Sequence, residues 1–168
     1  MKIKIGISIL LIVIIFYSCS TVKEYNVDFV NKHGQENYEA FNNISIIFRG
    51  LDSNGNVIIF ISRLDDSKDN GPYIVTIDKQ SMKVISTDYK LMTDTINFDF
   101  PKFENLAIKF VEYNIYQLIV DKSGNISIKV INSESQTLSR LATSDELNQH
   151  NKKHLRKLDE HWYVLIND

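Results

Sequence analysis

The chain has 168 residues, 43% of them apolar, and nine Phe, eight Tyr and one Trp supply bulk for a packed core, which excludes a disordered polymer and suits one domain. Nineteen basic residues stand against 21 acidic ones, for a net charge of -2. No basic stripe is present to displace counterions from phosphates, so nucleic acid is not an expected partner.

Lys2 and Lys4 open the chain, and Ile5 to Tyr17 is a thirteen-residue apolar run relieved only by Gly6 and Ser8. As a helix it would span about 20 Å, short of the roughly 30 Å hydrocarbon layer of a bilayer, which is export-signal length. The run ends at Phe16-Tyr17-Ser18-Cys19. These residues resemble the lipobox of bacterial lipoproteins, in which a small residue precedes a cysteine whose thiol receives a diacylglyceryl group before cleavage. Ser18 fits; Phe16 replaces the usual leucine, and Tyr17 is bulkier than the pattern's residue. The resemblance covers nineteen residues and implies that residues 1–18 are a signal peptide. Cys19 would then be the lipidation site, with palmitate-type acyl chains holding the protein to a membrane of the bacterial cell envelope. The competing reading is an uncleaved anchor with Cys19 a free thiol. As the single cysteine, Cys19 has no disulfide mate in either case. Ser20, with no aspartate beside the cysteine, resembles the context that permits transfer to an outer membrane.

Residues 19–34 are polar and weakly patterned and are expected to be a tether, with room for one edge strand at Tyr25 to Val30. Residues 35–168 are expected to form the single domain, beginning with a helical turn or two around Tyr38 and Phe41. Ile44 to Arg49 and Val57 to Arg63 are β-branched and aromatic runs separated by a segment containing Asn54-Gly55, which predicts a hairpin. Tyr73 to Asp78 with Met82 to Thr87, and Ile115 to Asp121 with Ile126 to Ile131, predict two more. The segments starting at Leu51 and Val120 share the order apolar, Asp, two linking residues, Gly, Asn, apolar; common turn chemistry accounts for this without a repeat. Between the second and third hairpins, Phe103, Leu106, Ala107, Phe110 and Val111 form an apolar stripe behind Pro101, predicting a helix over about 101–113. A second helix is expected over about 144–157, with Asp145 and Glu146 in its first turn and Lys152, Lys153, Arg156 and Lys157 near its end. Its stripe is thin: Leu147, Leu155 and Leu158. Trp162 to Ile166 reads as a closing strand, so the expected class is α+β with a largely antiparallel sheet.

Candidate chemistry is sparse. Asp52, Asn54 and Asn56 have the alternate-oxygen spacing of a calcium loop, but Val57 stands at its glycine position and Arg63 at its glutamate position, which favours a hairpin turn. Asp65, Asp66 and Asp69 before Gly71 read as a solvated turn. His150 and His154, four apart on the expected helix, with His161 as a third ligand, are weak zinc candidates because Lys152 and Lys153 would repel a cation. His33 falls in the expected tether, where nothing would orient it. Nucleophile elbows and phosphate-binding glycine loops are absent from the sequence, and no catalytic residue or cofactor is assigned. Trp162 and Tyr163 read as core in preference to a ligand groove. The expectation is a membrane-anchored envelope lipoprotein acting as a non-catalytic binding or inhibitor/immunity-type module, with an envelope protein or a small ligand as partner. The alternative is an envelope hydrolase using dispersed Asp, Glu and His residues.

Overall fold

The computed structural model describes residues 25–65, 70–93, 95, 98–133, 136–142 and 155–166. Among these residues, two helices pack on a nine-stranded antiparallel sheet, an α+β architecture. Helix α1 occupies residues 25–33 and is followed by a 3-10 turn at Glu39–Phe41. Strands β1 (Ile44–Leu51), β2 (Val57–Arg63), β3 (Tyr73–Asp78) and β4 (Lys83–Asp88) form a meander. Helix α2 (Phe100–Tyr113) then crosses the sheet, so that β5 (Ile115–Val120) pairs beside β1. Strands β6 (Ile126–Val130), β7 (Gln136–Arg140), β8 (Leu155–Lys157) and β9 (Trp162–Ile166) complete the order β4-β3-β2-β1-β5-β6-β7-β9-β8.

The order reads as two halves meeting between β1 and β5. Each half is a helix, then a hairpin, then a third strand continuing outward. Their first turns match bond for bond. Asp52 Oδ1 accepts from the backbone N–H of Asn54 and Asn56 at 2.8 and 2.9 Å, and Asp121 Oδ1 accepts from Ser123 and Asn125 at 2.8 and 2.9 Å. The side chains of Asn56 and Asn125 each donate to the second carboxylate oxygen at 2.8 Å. Gly55 and Gly124 supply φ values of 82° and 85°, which a side chain would strain. The sequence likeness of the two segments thus coincides with equivalent places in the fold.

Alternation sends Ile44, Ile46, Ile59, Ile61, Val75, Ile77, Leu118 and Ile128 to the helix-covered face, where they are buried. Helix α2 lays Phe103, Leu106, Ala107, Phe110 and Tyr113 on this face. Its start is capped by Asp99, which accepts from Lys102 N–H at 3.1 Å, with Pro101 in the first turn; Asn114 ends it in the left-handed region.

Two expectations are corrected. Residues 25–33, placed in a tether with a possible edge strand, are helical, and Asn26, Phe29, Val30 and His33 are buried. Their spacing of i, i+3, i+4 and i+7 gives α1 a face for the core, and that burial offsets the entropy a tether would have kept. Residues 155–157, expected to end the second helix, are strand β8, with Leu155 opposite Leu165. The thin stripe gave a helix little to bury, whereas β9 offers unpaired backbone groups for a strand. The remainder of that expected helix, with His150 and His154, lies outside the described residues, as do Cys19 and the rest of residues 1–24.

Candidate functional site

Two features stand out from the packed core: a polar cluster that closes the end of α1, and the sheet face opposite the helices.

The cluster is built around Glu36. His33 Nδ1 lies 2.6 Å from Glu36 Oε1, and Tyr113 at the end of α2 donates its hydroxyl to Oε2 at 2.8 Å. Lys109, one turn earlier on α2, places Nζ 3.4 Å from the same oxygen. Burial pushes the Glu36 carboxyl up, but the hydrogen bonds from His33 and Tyr113 and the charge of Lys109 outweigh it, leaving the group below the usual carboxylate range. An ionised carboxylate only accepts, so the His33 proton facing it resides on Nδ1. Tyr38 and Tyr113 are held above the ordinary tyrosine range, chiefly by burial and then by Glu36 beside them.

From the other side, Arg140 on β7 donates to the carbonyls of Gly34 and Glu36 at 3.1 and 3.2 Å, and Trp162 Nε1 on β9 donates to the Gly34 carbonyl at 3.1 Å. The guanidinium also lies over the rings of Tyr38 and Trp162, 5.2 and 5.6 Å from their centres. Each side chain in the set makes at least one bond or ion pair to another member or to the backbone of residues 33–36. The chemistry of the cluster is therefore that of a clamp joining α1, α2, β7 and β9. His33, expected to be unoriented, is its first member.

The second feature is the sheet face away from the helices. Strand registers line up Asp88, Ile74, Phe60, Ile47, Gln117 and Lys129 as direct neighbours across β4-β3-β2-β1-β5-β6. All six are half-buried, each flanked by its row neighbours. Apolar side chains hold the middle of the row, and an acid and a base hold its ends. A neighbouring row runs through Ser62, Ser45, Ile119, Ser127, Ser139 and Tyr163. Arg49 reaches over the Phe60 ring, its guanidinium carbon 5.1 Å from the centre. Among the described residues, no helix packs on this face.

The other sequence candidates are placed as follows. The Asp52 carboxylate is bonded within its own turn, which holds it below the usual carboxylate range through the Asn56 side chain first and backbone N–H groups after it, and the segment forms the expected hairpin turn. Asp65 lies 3.6 Å from Lys122 across the two halves; Asp66 and Asp69 lie outside the described residues. His161 sits in the exposed turn before β9, its Nε2 4.0 Å from Glu160. Among the described residues no three His, Cys, Asp or Glu side chains are grouped to hold a metal ion. Also among them, no helix is long and apolar enough to cross a membrane. Trp162 is fully buried, as core.

The residues that sequence reasoning missed are Glu36, Tyr113 and Arg140, which are 104 positions apart at the extremes and carry no shared motif. Comparison with protein-family models, curated proteins and solved structures gives no match.

Proposed function

We infer that the protein is a lipid-anchored envelope lipoprotein whose domain binds another protein against the open face of its sheet. The observation that supports this is the row centred on Ile74, Phe60 and Ile47, apolar in the middle and charged at its ends, on a face that no helix covers among the described residues. Nine strands at about 4.8 Å spacing, averaging roughly 18 Å in length, present on the order of 700 Å². That is close to the about 800 Å² per partner of a standard protein interface, and far more than a small ligand needs. An apolar centre ringed by hydroxyl and charged groups has the core-and-rim arrangement of such interfaces. A blocking or immunity-type role belongs to the same reading, because covering a partner's surface needs no chemistry from this chain. Lipid on Cys19 would hold the face at the membrane, two or more acyl chains making attachment durable.

The test is affinity capture from native envelopes with the lipidated chain, a Phe60→Glu variant and a Cys19→Ala variant. A partner bound by the parent chain and lost with Phe60→Glu, while the variant keeps its fold, is the expected result. Recovery that is indifferent to Phe60→Glu overturns the sheet-face reading. Mass spectrometry of the mature amino terminus tests the anchor: a diacylglyceryl-modified Cys19 is expected, and an unmodified Cys19 in an uncleaved chain overturns it.

A further inference from the structure

The sheet ends, among the described residues, in two edge strands, β8 and β4. An edge offers a row of backbone N–H and C=O groups on which a further strand can pair. Strand β8 is guarded: it has only three residues, and a second copy laid antiparallel on it would set Arg156 and Lys157 against like charges. Strand β4 has six residues, Lys83-Val84-Ile85-Ser86-Thr87-Asp88, with a base at one end and an acid at the other. Large apolar side chains stand out along it, Ile85 at 52% exposed and Tyr89, just past the strand, at 55%.

The register with β3 makes this edge self-complementary. Lys83, Ser86 and Asp88 lie opposite Asp78, Thr76 and Ile74 on the open face, while Val84 and Thr87 lie opposite the buried Ile77 and Val75 on the helix face. Val84 and Ser86, two apart, are thus on opposite faces, which strict alternation forbids; the bulge that leaves Ile85 without a partner on β3 permits it. Without the bulge Lys83 and Asp88, five apart, would point to opposite faces, and no two-fold antiparallel pairing could bring them together. With it, both stand on the open face. Asp88 Oδ1 accepts from the Lys90 backbone at 2.8 Å, which fixes the carboxylate at the strand's end, and the Lys90 ammonium stands off at 4.0 Å.

We propose that β4 pairs antiparallel with the β4 of a second copy of this chain, about a two-fold axis normal to the sheet. Lys83 then faces the partner's Asp88 and Val84 the partner's Thr87, each pair on one face, and Tyr89 comes level with the partner's Met82. An edge lysine and a bulge ordinarily blunt an edge. Here the lysine meets its counter-charge, and the bulge meets its own copy, six residues against six. The contact is isologous and closes as a dimer. Both open faces end on the same side of one continuous sheet. The inference goes beyond the sheet-face reading and uses neither Phe60 nor Ile47.

Sedimentation velocity of the full chain in density-matched detergent tests it. A reversible dimer with a Kd on the order of 100 µM is expected, and a chain that stays monomeric up to about 1 mM overturns the proposal. Lys83→Glu and Asp88→Lys should each weaken the dimer about tenfold, because each sets two like-charged pairs across the axis, and the double exchange should restore it to within about threefold. A dimer indifferent to the single reversals, or a double variant no tighter than either, overturns the register. Oxidative cross-linking in a Cys19→Ser background reads the axis directly. Ser86→Cys places two thiol-bearing residues with Cα atoms roughly 6 Å apart, within disulfide reach, whereas Thr87→Cys places them about 11 Å apart. Cross-linking of the first alone is expected; equal yields overturn the proposal. Phe60→Glu should dimerise as the parent chain does, and a dimer lost with it belongs to the open face and overturns the edge contact. Envelope capture that depends on Phe60 beside a monomeric chain removes this inference and leaves the sheet-face reading standing.

Discussion

The indole of Trp162 donates to the carbonyl of Gly34 across 128 positions of sequence, at 3.1 Å. This bond sets the last turn of α1 against β9, and it works because residue 34 has no side chain. A Cβ there would collide with the Val30 carbonyl oxygen and stand 3.0 Å from Trp162 Nε1.

Gly34→Ala is therefore expected to lower stability by about 1–3 kcal/mol, the usual cost of forcing extra volume into a packed site. Urea unfolding measures it. The same substitution at Gly55, whose turn has open space around it, costs through backbone strain at its positive φ, with no steric clash. Equal sensitivity to crowding neighbours at both positions would contradict the packing.

Glu36 gives the clamp a pH dependence with a definite sign. Its folded pKa lies below the ordinary glutamate value of 4.5, so its contribution is fully present above that value and is lost as pH falls through the folded one. The side chain is about one-third exposed, which keeps the effect modest. In parallel acid titrations followed by tyrosine fluorescence, Glu36→Gln should flatten the acid limb and lower stability at neutral pH, where the parent carboxylate is charged.

The matched turns predict matched losses. Asp52→Ala and Asp121→Ala each remove a carboxylate accepting two backbone N–H groups and one side-chain amide, and each should cost about 1 kcal/mol or somewhat more. If the turns act independently, the double variant costs their sum within about 0.5 kcal/mol in thermal unfolding. A markedly larger sum would show that the hairpin ends couple.

Phe29, on the buried face of α1, lies edge-on to Trp162 and Tyr113, with ring centres 6.4 and 6.3 Å away. Phe29→Ala should destabilise the whole domain by about 3–5 kcal/mol. A single cooperative transition at a lower midpoint is the expected denaturation profile. Local fraying of residues 25–33 with an unchanged midpoint would return this segment to the role of a tether.

The sequence by itself determined the local elements whose signals are carried by neighbouring residues. The three hairpins follow from β-branched alternation around Asp, Asn and Gly turns, and α2 follows from its stripe behind Pro101; each needs only backbone geometry and a two-sided hydrophobic pattern. The resemblance at Ser18-Cys19 is likewise local. Helix α1 was partly legible, since Asn26, Phe29, Val30 and His33 have helical spacing, but polar residues at both ends of that stripe masked it. Only the tertiary structure decided that Asn26 and His33 are interior: Asn26 meets Gln136 at 2.8 Å, and His33 meets Glu36. Strands β7 and β8 depend in the same way on β6 and β9 to complete their hydrogen bonds, so Gln136–Arg140 and Leu155–Lys157 carry little signal alone. The sheet face belongs wholly to the tertiary level, since a row such as Ile74, Phe60, Ile47 exists only once register has aligned three strands.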